Sequence, residues 1–181
     1  MILKYIKVYD NVVTKDYCDS LIEKFHSNKD EWIIRNESTF TFNEINLAQS
    51  SHIFGDEMNY LYGVFDKYVE HYKKATGIHS FQFPDNYGFE EMRMKHYQAE
   101  RGEFRPHVDA NGKASKRFLV FFLYLDEGPG GQTVFLDQKM HCERKPGRLL
   151  MFPPIWTYPH AGLMPHQVDK HIIGSYLHYV I

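Results

Sequence analysis

Cysteine is almost missing from this chain: of 181 residues only Cys18 and Cys142 carry a thiol, far apart and without the short spacing of a metal-binding knuckle. That excludes a disulfide-stapled scaffold and points to a reducing compartment, so a cytoplasmic protein is expected. An excess of one charge is lacking too. Lys and Arg number 21 against 23 Asp and Glu, a net charge of −2, which leaves no field to draw the chain onto nucleic acid or an anionic membrane. No apolar run approaches the roughly 18 residues of a membrane span, and Lys4 and Lys7 interrupt the N-terminal stretch, so neither a span nor a signal peptide is expected. Glycine (12) and proline (8) are too few for a fibrous or low-complexity chain. Aromatic residues, at 16%, are plentiful enough for a sizeable core, and the 11 histidines supply the side chain most used for metals and proton transfer. At about 150 residues per domain, the length predicts one domain over residues 1–181.

Residues 2–8 read as an edge strand. Thr14 can cap a helix running to Phe25, with Tyr17, Leu21, Ile22 and Phe25 at helical spacing. Residues 28–51 are polar and mixed, and yield only a short strand at 32–35. From Phe54 to Tyr72 apolar residues recur in steps of three and four, and Gly77 supplies a stop, which predicts a long helix with one apolar face. Beyond Gly77 the texture changes to short runs between turn residues, with strands expected at 91–97, 118–125, 148–152 and 172–180. RFLVFFLYL, residues 117–125, is almost continuously apolar, the pattern of a strand covered on both faces. The expected fold is mainly β with flanking helices, a double-stranded β-helix (jelly roll) with two N-terminal helices packed on one sheet. Residues 1–90 form a helical support region in this reading, and 91–181 the jelly-roll core that carries the site.

His107 and Asp109 stand two apart in a strand-like segment, so both side chains face one way and can grip a single ion. Independent placement at this composition gives about 0.7 such pairs by chance, so the pair alone is weak and also suits a surface His near a turn-capping Asp. His160, after the strand at 148–152, can return across a sandwich to complete the set. Two His and one carboxylate leave open positions opposite, as in non-haem ferrous oxygenases. The same three would equally serve a catalytic zinc hydrolase, and a hydrogen-bonded loop histidine is the plainer account of His160. Lys170 opens the last strand, where a lysine turned into a sandwich is costly unless an anion meets it. A bound dicarboxylate would be such an anion; a zinc hydrolase, or a non-catalytic jelly-roll binding module, has no need of it.

The order and surroundings of these residues tell more than any of them singly. YQAERGEFRPHVD (97–109), RFLVFFLYLDEGPGGQTVF (117–135), KPGRLLMF (145–152) and HAGLMPHQVDK (160–170) resemble the prolyl 4-hydroxylase branch of the 2-oxoglutarate- and Fe(II)-dependent dioxygenases. The likeness covers about residues 91–181, and more loosely the opening VYDNVVTKDYCDSLIEKF (8–25). It implies that His107, Asp109 and His160 hold Fe(II) and are the catalytic set, and that Lys170 pairs with the distal carboxylate of 2-oxoglutarate. It further implies that Tyr97, Tyr124 and Thr133 line the cosubstrate pocket and that Arg117 faces a substrate. The implied reaction consumes 2-oxoglutarate and dioxygen, hydroxylates an unactivated C–H bond and yields succinate and carbon dioxide, with ascorbate as an accessory reductant. The implied substrate is a prolyl residue in a peptide or protein, ahead of another side chain, a free amino acid or a nucleobase. Two departures bear on the substrate: Phe104 stands where many relatives have an aromatic hydroxyl, and Tyr176 where many have Trp.

Overall fold

Thr14 starts the first helix as the sequence predicts. Its side chain accepts a hydrogen bond from the Tyr17 amide at 3.2 Å, and α1 (Lys15–Ser27) turns Cys18, Leu21 and Phe25 inward. The second helix, α2 (Ser51–Thr76), buries Phe54, Leu61, Phe65, Val69 and Tyr72 along one face. It stops at Gly77, whose φ of 63° is a conformation that side chains disfavour, and whose amide closes onto the Lys73 and Lys74 carbonyls. The computed structural model describes residues 2–180. Among these residues no helix is long and apolar enough to cross a membrane.

The strands are β1 (Lys7–Tyr9), β2 (Ile33–Asn36), β3 (Phe40–Asn46), β4 (Tyr87–Phe89), β5 (Arg93–Tyr97) and β6 (Glu103–His107), then β7 (Arg117–Tyr124), β8 (Thr133–Phe135), β9 (Met140–Cys142), β10 (Arg148–Phe152), β11 (His160–Gly162) and β12 (Lys170–Tyr179). They join in one antiparallel sheet in the order β1, β10, β7, β12, β5, β3, β6, β11, β8, β9, with β2 beside β3 and β4 beside β12. Curled on itself, this sheet is a nearly closed, barrel-like jelly roll.

Period-two alternation divides the apolar residues into two cores. On β7, Leu119, Phe121 and Leu123 face the helices, while Val120, Phe122 and Tyr124 face the barrel interior. Leu149 and Met151 of β10 likewise face the helices, and Leu150 and Phe152 the interior. The near-continuous apolar run of β7 is therefore a strand buried on both faces, as its sequence predicts. Phe65 of α2 stacks on Phe121 with centroids 5.0 Å apart and planes at 12°, which locks the helix onto the sheet.

Residues 1–90 differ from a purely helical support. They contribute β1 to β4, and β3 inserts between β5 and β6, closing the barrel next to the candidate site. The edge strand expected at 2–8 is shorter: Ile2–Tyr5 is a 3-10 turn, held by the Tyr72 hydroxyl on the Tyr5 carbonyl at 2.8 Å, and pairing begins at Lys7.

The end of α1 rests on a group of three imidazoles. His26 Nε2 lies 2.9 Å from His171 Nε2, and the rings of His96 and His171 stack at 4.8 Å. Asp169 and Asp126 bond the outer nitrogens of His96 and His171, each at 2.7 Å. Burial, followed by the charges of His171 and His96, pushes His26 down to about 4. Between its unfolded value near 6.5 and about 4 the unfolded chain binds the extra proton, so this contact weakens as pH falls through that window. Thermal melts should therefore show stability declining from pH 7 to pH 5, and His26→Gln should flatten the decline. An unaltered slope in that variant would remove His26 as a source of the pH dependence.

Candidate active site

His107 is the last residue of β6 and His160 the first of β11, and the antiparallel register makes them direct partners, with ring centroids 4.4 Å apart. The backbone sets their tautomers. His107 Nδ1 donates to the Arg105 carbonyl at 2.6 Å and His160 Nδ1 to the Tyr158 carbonyl at 3.0 Å. A carbonyl only accepts, so in each neutral ring Nε2 is left as a bare lone pair. Asp109 follows β6 by two residues. Its amide and that of Ala110 both donate to the Pro154 carbonyl, at 3.1 and 2.9 Å, which swings its carboxylate under the two rings.

One carboxylate oxygen lies 3.3 Å from His107 Nε2 and the other 3.2 Å from His160 Nε2. Both Nε2 atoms and Asp109 Oδ2 are buried without a hydrogen-bond partner. The ligand atoms of all three residues lie within 4.8 Å of one another. Buried acceptors facing each other are unfavourable unless a cation or proton sits among them. A divalent ion fits this donor set, two imidazoles and one carboxylate being the combination suited to ferrous iron with open positions. The His26, His96 and His171 group does not match it. His96 and His171 bond Asp169 and Asp126, and their nearly parallel rings, 12° apart, aim their lone pairs side by side rather than at a common point.

Phe104 lies flat on His107, centroids 3.6 Å apart, and Phe152 meets His160 edge-on at 4.8 Å. Beside the triad is a cavity of about 20 Å³ lined by His107, His160, Tyr97, Thr133 and Lys170. Lys170 is 1% exposed and pairs with Tyr97 across β12 and β5. Its ammonium sits 4.9 Å above the Tyr97 ring and 5.7 Å above that of Tyr124. Among the described residues it makes no hydrogen bond or ion pair, and burial pushes it down to about 7. Tyr124 acts at one remove, its hydroxyl donating to Thr133 Oγ1 at 2.6 Å.

A second cavity, of about 210 Å³, touches Asp109 and shares Lys95, Phe104, Phe122 and Ile172 with the first. The inner space is of water size, so a dicarboxylate requires these shared side chains to part. Arg117 lines the second cavity, but its fork is bound on Glu90 by two bonds of 2.7 Å, with a third donor on the Asp109 carbonyl at 3.2 Å. It also stacks on Tyr176 at 3.8 Å. Its largest contacts are thus within the protein, and it braces the loop that carries Asp109. Lys95, between the two cavities, was not singled out by the sequence, where a lysine in a strand reads as solvent-facing.

Residues 92–178 match the model of the 2OG-Fe(II) oxygenase superfamily. No curated protein matches the sequence. Among solved structures, the chain is similar to a viral collagen prolyl hydroxylase from Paramecium bursaria Chlorella virus-1 in its 2OG complex, with TM-score 0.69 and 18% identity over 98% of this chain and 97% of that one. A Pseudomonas putida prolyl-4-hydroxylase gives TM-score 0.65 at 17% identity, over 97% and 93% of the two chains. A Trichoplax adhaerens prolyl hydroxylase, in complex with a hypoxia inducible factor peptide fragment, gives 0.74 at 13%, over 97% and 84%. At these identities the structural likeness is one of fold. The matched segment, residues 92–178, carries both histidines, Asp109 and Lys170, so the part of the chain that holds the candidate site is similar to the 2OG-Fe(II) oxygenase superfamily. That superfamily implies Fe(II) and 2-oxoglutarate, and the donor set of the triad fits the metal.

Removing one of the three donors should release the metal without harming the fold, because Asp109 contributes to the backbone only through its amide and carbonyl. Asp109→Ala should weaken Fe(II) binding, measured as bound metal per chain, by more than the roughly 10–100-fold typical of outer-shell changes. The metal-free variant should melt no lower than the metal-free parent, since unpartnered acceptors are relieved. Undiminished iron binding would take Asp109 out of the site.

Proposed function

We propose that this protein is a dioxygenase of the prolyl 4-hydroxylase-like branch that hydroxylates an unactivated C–H bond, with a prolyl residue of a peptide or protein as the first candidate substrate. Succinate and carbon dioxide are the co-products. In this reading His107, Asp109 and His160 hold the iron and Lys170 receives the distal carboxylate of 2-oxoglutarate, with Tyr97 and Thr133 along the cosubstrate wall and Tyr124 behind Thr133. The observation that carries it is the pairing of three bare, buried ligand atoms with a buried ammonium, unpartnered among the described residues, that shares a cavity with His107 and His160. A zinc hydrolase would use the first of these features and leave the second without a purpose.

Bound iron, with 2-oxoglutarate and dioxygen, supplies an oxidant able to take hydrogen from an unactivated carbon and return hydroxyl. The chain's own part is geometric. The Arg105 and Tyr158 carbonyls keep both Nε2 atoms deprotonated and aimed, and Pro154 fixes Asp109 through two amides. Phe104, Phe122 and Phe152 wall the site with apolar surface that excludes water. A peptide partner is supported by a groove of about 420 Å³, lined by Tyr5, Phe83, Ile155 and Tyr179 among others, which shares Arg117 with the cavity beside Asp109. The peptide bound to the Trichoplax protein supports the same class of partner. Ascorbate as accessory reductant rests on the family resemblance. The free, buried Cys18 and Cys142 accord with a cytoplasmic location.

The direct test is to incubate Fe(II)-loaded protein with 2-oxoglutarate and a library of proline-containing and proline-free peptides, following succinate and mass. Succinate together with a one-oxygen gain confined to proline peptides is the expected result. A gain on other members would replace the prolyl assignment, and an absence of any succinate would contradict the oxygenase chemistry for this site.

A further inference from the structure

Lys95 stands two residues before Tyr97 on β5, so alternation turns it into the barrel while Met94 and His96 face the helices. Its ammonium lies 4.6 Å from the Phe42 ring and 5.7 Å from the Phe104 ring. Among the described residues it has no hydrogen bond or ion pair. The nearby anions are engaged elsewhere. Glu44, its partner across β3, accepts two bonds from Arg35 at 3.0 and 2.7 Å, and Glu90 accepts both arms of the Arg117 fork. Asp109 belongs to the triad. Burial lowers the Lys95 ammonium, against the pull of Asp109 and Glu44 and with the push of Arg93 and Arg117.

Lys95 is partly exposed, and an ammonium over aromatic rings, facing a cavity and lacking an anion, gains from a ligand that brings one. Lys170 already suits the far carboxylate of 2-oxoglutarate, and Lys95, which lines the inner cavity too, is the lysine that also lines the 210 Å³ cavity touching Asp109. That volume is below the roughly 300–1,000 Å³ of drug-sized sites, so it suits one residue-sized unit. A neutral prolyl ring alone would leave the cation unpaired. Resting on the oxygenase reading above, we propose that Lys95 binds a carboxylate of the substrate, carried on the same small unit as the carbon to be hydroxylated. The carboxylate can come from a free amino acid or from an acidic or C-terminal residue of a peptide.

The test compares matched acids and amides as probes: L-proline and the other free amino acids against their amides, and peptides ending Pro-Asp or Pro-OH against Pro-Asn and Pro-NH2. Stimulated succinate formation and thermal shift are read on the Fe(II)-loaded protein and on Lys95→Met. Acids should act at concentrations at least about tenfold lower than amides, and Lys95→Met should abolish that preference through KM, shifting the apparent 2-oxoglutarate constant far less. The variant should melt no lower than the parent, because no protein anion loses a partner. The free and peptide arms tell which source carries the carboxylate. Equal action of acids and amides, no response to either, or an acid preference that survives in Lys95→Met would each overturn the proposal. So would a loss confined to the 2-oxoglutarate constant, which would assign Lys95 to the cosubstrate. Hydroxylation of neutral proline peptides by the parent at the same KM as their matched acids would sink the carboxylate assignment and leave the oxygenase reading standing.

Discussion

The two bonds from His107 Nδ1 to the Arg105 carbonyl and from His160 Nδ1 to the Tyr158 carbonyl decide what this barrel can do. Each is made within two residues of its own strand, so β-structure itself orients the ring. With Nδ1 occupied, the two Nε2 lone pairs face Asp109, and three acceptors with no protein donor meet in a space walled by phenyl rings. The arrangement costs stability when empty of charge and is relieved by a cation, which is how a fold stores affinity for a metal in its backbone register.

That register needs a rigid frame, and the two-core construction supplies it. Strands β7, β10 and β12 are buried on both faces, with α1 and α2 packed on one and the site on the other. Sliding β7 or β12 by one residue would exchange the two faces and place a leucine where Tyr124 now stands, or His171 and Leu177 where Lys170 and Tyr176 stand. Three cations lie near the triad: Arg117 neutralised by Glu90, and Lys170 and the partly exposed Lys95, which are unpaired among the described residues, while a fourth, Arg144, is buried on Asp126 and backbone carbonyls.

Much of this was legible in the amino-acid sequence, for identifiable reasons. α2 and β7 carry clean periods and Thr14 and Gly77 carry cap chemistry; strand alternation predicts that His107 and Asp109 aim together, but Asp109 lies beyond the end of β6 and is placed by the bond from its amide to the Pro154 carbonyl. β3 escaped because it faces the site: Phe40 and Phe42 point inward together with Glu44, so its inner face mixes apolar and charged residues and has no simple pattern. β2 lies on its outer edge with Ile34 75% exposed, which blurs the signal further. Lys95 escaped for a related reason, since strand sequence does not tell a cavity-facing lysine from a solvated one. Arg117 was legible as a residue near the site, but its pairing with Glu90, 27 positions away, exists only in the folded chain.

The account turns on one coupling, that the triad and Lys170 grip opposite ends of a single 2-oxoglutarate molecule. Equilibrium dialysis of labelled 2-oxoglutarate without oxygen measures it directly, on Fe(II)-loaded protein, metal-stripped protein and Lys170→Met. The account predicts saturable binding to the loaded protein that weakens by at least about tenfold on removing either the metal or the ammonium. Binding that is indifferent to both would contradict it.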